Sequence, residues 1–285
     1  MKNFLIFLLL FTGISVFAQH GKVYDNLTMP SEILEMDRNY AVYLPPDYEA
    51  SSRSYPVLYL LHGAGDDHTG WVQFGEVLHI TDQAIKNGEA TPMIIIMPDA
   101  KTGQLGYFNT PGDKWRYEDF FFEEFMPHVE EKFRIKKEKR FRAISGLSMG
   151  GGGTFTYAIH RPDLFSSAVP MSAYIGPSSV QQLEQQMERM NFDGTVDELR
   201  TYWESINALS LIEKGDAKAI GSVRWFIDCG DDDFLFEGNS LIHIAMRKKN
   251  IPHEYRVRQG GHTWTYWRES LPMALKFVSD AFHQY

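Results

Sequence analysis

Short apolar runs rich in β-branched and aromatic residues recur at 40–44, 57–61, 93–97, 141–145, 168–171, 223–227 and 254–257, each bounded by turn-forming residues. Runs of this length and boundary read as strands, and the unbroken ones read as strands buried on both faces. Between them the apolar period lengthens to that of helices at 77–86, 117–133, 149–160, 241–249 and 271–282. Strands alternating with helices imply crossover connections, and so an α/β fold with a mostly parallel central sheet and helices on both faces. Residues 176–220 break the rhythm. They are polar and helical in flavour, with QQLEQQMERM, a break at Gly194, then VDELRTYWESINALSLI. Two readings stay open for them, a lid overhanging the functional site or a crossover with extra turns.

One expected strand end carries chemistry. After 141–145 comes Gly146-Leu147-Ser148-Met149-Gly150, a GxSxG pentapeptide, followed by three more glycines and a helical run to His160. A serine hydroxyl is a poor nucleophile until a turn thrusts it out where a base can reach it, and GxSxG on a strand-to-helix turn does this. Each glycine in a helix interior costs about 1 kcal/mol against alanine. Four in succession point to a first helical turn packed too closely for side chains, rather than to a loose surface loop.

An elbow serine needs partners, and hydrolases built this way present them in the order serine, acid, histidine. His262 lies in QGGHTW, after the last expected strand and before the last expected helix, and is the candidate base. His160, His243 and His283 stand on or at the ends of helices. The acid belongs on the turn after 223–227, where Asp228, Asp231, Asp232 and Asp233 compete. One of them must orient the imidazole and stabilise its charged form. Spacing alone does not choose. The charge developing on the carbonyl oxygen needs N–H donors, and the amide of Met149 with one from the loop HGAG after 57–61 would supply them. Ala64 is the candidate for the second. Candidate substrate contacts are His62, at the head of that loop, Trp264 beside the base, and Trp115. With aromatic residues at 14% of the chain, core packing competes with that role. The spacing of His62, Asp66, Asp67 and His68 does not suit a metal site, nor does the aspartate cluster have calcium-loop spacing. No cofactor is implied.

Residues 1–18 carry Lys2, an apolar stretch and the small residues Val16 and Ala18 at cleavage-site spacing, the pattern of a secretory signal peptide. The expected product is a single domain over 19–285 that is secreted or periplasmic, with no membrane insertion after cleavage. A net charge of −9, one unit more negative without Lys2, argues against a nucleic-acid partner. Cys229 is the only cysteine, so no internal disulfide can form; a small buried residue is its expected role.

LYLLHGAGDDHTGW, GLSMGGGG, CGDDDFL and GGHTWTYW together resemble the esterase D-like α/β-hydrolases, above all carbohydrate esterase family one, across nearly all of the chain after residue 18. The resemblance implies the α/β-hydrolase fold and a serine esterase acting on feruloyl or acetyl groups of plant polysaccharide. It assigns Ser148 as nucleophile, His262 as base, Met149 as one oxyanion amide and, three residues past the glycine of the strand-end turn, Asp233 as the acid. Mycolyltransferases and S-formylglutathione hydrolases share the group. An acyltransferase, a hydrolase of the formylglutathione type and a non-catalytic carbohydrate-binding protein are therefore the alternatives.

Overall fold

A computed structural model describes residues 20–103, 106–113, 115–177, 179–189 and 194–283; the expected signal peptide lies outside them. The strands are β1 (Lys22–Ser31), β2 (Met36–Leu44), β3 (Val57–Leu61), β4 (Ile94–Pro98), β5 (Arg142–Leu147), β6 (Ser167–Met171), β7 (Arg224–Gly230) and β8 (Glu254–Arg258). They form one sheet in the order β1-β2-β4-β3-β5-β6-β7-β8. β1 and β2 are an antiparallel pair, β2 runs antiparallel to β4, and every other pairing is parallel.

Each central strand divides its side chains between two cores with period two. Val57, Tyr59 and Leu61 face one, with Phe121, Phe125, Phe155, Tyr157, Ile242 and Met246. Leu58 and Leu60 face the other, with Val77, Trp71, Trp267, Leu271 and Leu275. Helix Met149–His160 and helix Phe236–Lys248 thus cover one face of the sheet, while helices Val77–Lys86 and Trp264–His283 cover the other.

The seven expected strands are all present, and the eighth, β1, escapes the pattern for a physical reason. As an edge strand it is exposed at most positions, so its sequence KVYDNLTMPS shows no apolar run. The expected helix 117–133 is instead a short turn, a π-helical segment Phe120–Phe125 and helix Met126–Lys132. The wider π turn accompanies burial of Phe120, Phe121 and Phe125 together. The last helix begins at Trp264 rather than 271 and runs through Pro272. A proline normally marks the first turn, but here Trp267, Leu271, Ala274 and Val278, three or four apart, hold one buried stripe across it.

Within 176–220, helix Val196–Ile206 opens with a capping box between Thr195 and Glu198. It rests on the far end of helix Met149–His160. There His160 Nδ1 lies 2.7 Å from Glu118 Oε1 and His160 Nε2 2.9 Å from the Ser205 carbonyl. Helix Ala208–Lys214 packs against helices Met149–His160 and Phe236–Lys248. A cleft of about 760 Å³ lined by Asn109, Glu118, His160, Tyr202 and Ser205 lies at this end. It is removed from Ser148 by the helix's 12 residues, or about 18 Å at 1.5 Å each. Among the described residues no helix is long and apolar enough to cross a membrane.

Candidate active site

Ser148 stands between β5 and helix Met149–His160 with φ 54° and ψ −114°, a conformation that non-glycine residues seldom adopt. The backbone around it holds the strain. Ser148 N–H donates to the Met171 carbonyl at 3.0 Å, and Ser148 C=O accepts from Tyr174 N–H at 2.9 Å. The glycines are a matter of space. A Cβ at Gly146 would stand 2.5 Å from the Gly150 carbonyl oxygen, and one at Gly150 would stand 2.7 Å from the carbonyl oxygens of Leu61 and His62. Gly151 and Gly152 press equally closely on the chain at Ala173 and Tyr174. The turn is packed beneath the serine, as the glycine run suggests.

Two loops from the C-terminal ends of β7 and β8 converge on this serine. His262 Nε2 lies 2.9 Å from Ser148 Oγ, and His262 Nδ1 lies 2.9 and 3.0 Å from the two carboxylate oxygens of Asp233. A carboxylate can only accept, so Nδ1 carries the proton and Nε2 is left to accept from the serine hydroxyl. Asp233 is buried, which by itself raises a carboxyl pKa. The hydrogen bonds from His262, from Leu235 N–H and from Ser172 outweigh burial and hold it below the ordinary range. The other three aspartates are engaged elsewhere. Asp228, fully buried, receives Arg258 Nη2 at 2.9 Å, Tyr266 OH at 3.0 Å and Ser270 Oγ. Asp231 accepts from Gly260 N–H at 2.9 Å, and Asp232 is exposed and bonds Gly260 through its backbone.

The HGAG loop lies beside the elbow: a Cβ on Gly63 would meet Ser148 Cβ at 3.5 Å. Asp66 N–H closes a turn onto the Gly63 carbonyl at 3.3 Å, with Gly65 at φ 84° where only glycine is unstrained. Ala64 is exposed at the top of this turn. Met149 is the first residue of its helix, so its N–H has no partner within the helix.

His62 and Trp264 do not fit the substrate contacts expected of them. His62 is 1% exposed, and both ring nitrogens are taken by backbone groups, Gly63 C=O at 2.8 Å and Ala100 N–H at 2.8 Å. Trp264 is turned back by the helix it opens. It packs edge-on against Trp71 and Trp267, each at 5.3 Å, and it is Trp267, three residues on, that meets His262 edge-on at 4.9 Å. Trp115 packs half-buried against the core. A residue the sequence reading passes over stands where a contact is wanted: Phe234, 73% exposed, lies over the His262 ring at 4.5 Å. The signal was DDDFLF, apolar side chains following directly on an acidic turn.

Residues 31–278 match a family described as putative esterase. An esterase of Mycobacterium tuberculosis is 37% identical over 78% of this chain and 52% of that protein. An endo-1,4-β-xylanase/feruloyl esterase of Xylanibacter ruminicola is 34% identical over 51% of this chain and 21% of that protein. The chain thus spans about half the length of the mycobacterial relative and a fifth of the other. A solved structure of a ferulic acid esterase superposes with a TM-score of 0.81 and 37% identity, over 92% of this chain and 99% of that one. The chain belongs to the esterase family and has the α/β-hydrolase fold.

Proposed function

We propose that this protein is an exported serine carboxylic-ester hydrolase that removes feruloyl or acetyl groups from plant polysaccharide or its oligosaccharides. The observation that carries the reading is the unbroken hydrogen-bonded line from Ser148 Oγ through His262 to the buried Asp233, ending on a serine held at positive φ. In this mechanism Ser148 attacks the ester carbonyl carbon while His262 Nε2 takes its proton, and Asp233 stabilises the imidazolium. The N–H groups of Met149 and Ala64 receive the oxyanion. His262 then protonates the leaving alcohol, and water repeats the sequence on the acyl-enzyme to release the acid and restore the serine. Similarity to proteins named ferulic acid esterase and xylanase/feruloyl esterase favours a feruloyl ester on a sugar. The signal-peptide pattern of residues 1–18 supports export.

Purified protein assayed on methyl ferulate, acetylated xylan and S-formylglutathione tests the reading, with Ser148→Ala as control. Hydrolysis of one of the first two, lost in Ser148→Ala by at least about 10³-fold, is expected. Equal rates with and without the serine hydroxyl would overturn the mechanism. Faster turnover of S-formylglutathione would overturn the substrate assignment.

A further inference from the structure

The His62 side chain is hydrogen-bonded to the peptide unit that carries the Ala64 N–H. In a trans peptide the C=O of residue 63 and the N–H of residue 64 point in opposite directions, so whatever fixes one fixes the other. His62 Nδ1 lies 2.8 Å from the Gly63 carbonyl oxygen. That oxygen can only accept, and the opposite ring nitrogen, Nε2, receives Ala100 N–H at 2.8 Å and must therefore be unprotonated. Both contacts demand the neutral Nδ1–H form. Burial lowers the imidazole pKa and keeps that form, although Gly63 C=O, Asp99 and Asp67 pull the other way. The backbone of His62 is clamped too, its N–H donating to Tyr107 Oη at 2.8 Å.

We propose that His62 is a positioning residue for the oxyanion hole: its Nδ1–H holds the Gly63 carbonyl away from the nucleophile, and so turns the Ala64 N–H toward the space above Ser148. The need for such a holder follows from the loop's composition. Gly63 has no side chain to restrict the ψ rotation that would turn over the peptide between 63 and 64, so its direction has to be fixed by a contact. One further bond steadies it, the long 3.3 Å contact from Asp66 N–H. The proposal rests on the esterase reading given above.

Two amide replacements separate the two ring nitrogens. The side-chain N–H of asparagine stands near the place of imidazole Nδ1, and that of glutamine near Nε2. His62→Asn keeps the donor to Gly63, and its kcat should stay within about fivefold of the parent. His62→Gln loses it, and kcat should fall about 10²- to 10³-fold, the cost of one oxyanion donor, with KM little changed. Affinity for a trifluoromethyl ketone analogue of the ester, whose adduct bears the oxyanion, should fall in step with kcat/KM. Similar kcat in the two variants, or a loss confined to KM, would overturn the proposal. Nitrogen-15 spectra of the unaltered protein supply a test that does not depend on a variant folding. They should show His62 neutral with Nδ1 protonated at about pH 6.5, where an ordinary imidazole is half charged, and an Nε2–H or doubly protonated ring there would overturn the assignment. Ser148→Ala separates this from the esterase reading. Activity surviving in Ser148→Ala overturns both, whereas activity lost there and kept in His62→Gln overturns the positioning role alone.

Discussion

Two carboxylates at the C-terminal end of β7, five residues apart, are both buried, yet their surroundings differ in kind. Asp228 is met by a guanidinium and two hydroxyls, from Arg258, Tyr266 and Ser270. Those partners hold β7, β8 and the last helix together, and none of them reaches Ser148. Asp233 is met by an imidazole whose other nitrogen faces the serine hydroxyl. A buried carboxylate surrounded by groups that keep their protons stabilises a fold, while one paired with a group that can gain and lose a proton supports chemistry. Cys229, between them in sequence, feels both: burial foremost, then Asp233 and Asp228, push its thiol up to about 12, which keeps it protonated and inert.

The contrast is sharpest in single substitutions. Asp233→Asn leaves shape nearly unchanged but invites the wrong imidazole tautomer, so kcat should fall about 10⁴-fold while the melting temperature moves little. Asp228→Asn should do the reverse. It leaves Arg258 without its buried partner and is expected to cost about 3 kcal/mol in denaturant unfolding, with kcat/KM within a few-fold of the parent. A large catalytic loss with unchanged stability in Asp228→Asn would erase the distinction.

A smaller effect appears in pH. The folded protein holds Asp233 below its ordinary value, and an unfolded aspartate titrates near about 3.9. The stability it contributes is therefore fully present above about pH 4 and lost as pH falls through the folded pKa. Unfolding free energies of parent and Asp233→Asn, measured from pH 6 down to 2, should converge at the acid end; a constant gap would contradict the depressed value. Smallest of all is the exposed lip of the site. Phe234→Ala should raise KM for a feruloyl ester by about three- to tenfold, roughly the 1 kcal/mol of an aromatic contact, and should barely affect an acetyl ester.

Much of this was legible without coordinates because it is local. Strands β3 and β4, buried on both faces, had to be written as unbroken apolar runs, and the elbow had to spell its glycines where the backbone at Leu61, His62 and Ala173 leaves no room for a Cβ. β1 was hidden because an edge strand has little to bury. The start of the last helix was hidden because Pro272 looks like a boundary until the aromatic stripe upstream of it is seen to be packed. His62 was misread as a substrate contact because a histidine at a loop head looks the same in sequence whether it faces a ligand or its own backbone.

The sequence by itself determined the alternation of strands and helices, the elbow serine, and an order of serine, acid and histidine that suits hydrolysis. These depend on residue type and short spacing. Tertiary structure decided which aspartate meets His262 and which ring lies over it. It also showed what His62 touches, since those choices depend on the directions of loops that leave β3, β7 and β8 far apart in the chain and meet at one edge of the sheet. A turn of four aspartates offers the same charges in any order, and only the path of the chain past Gly230 brings one of them within 3 Å of the imidazole.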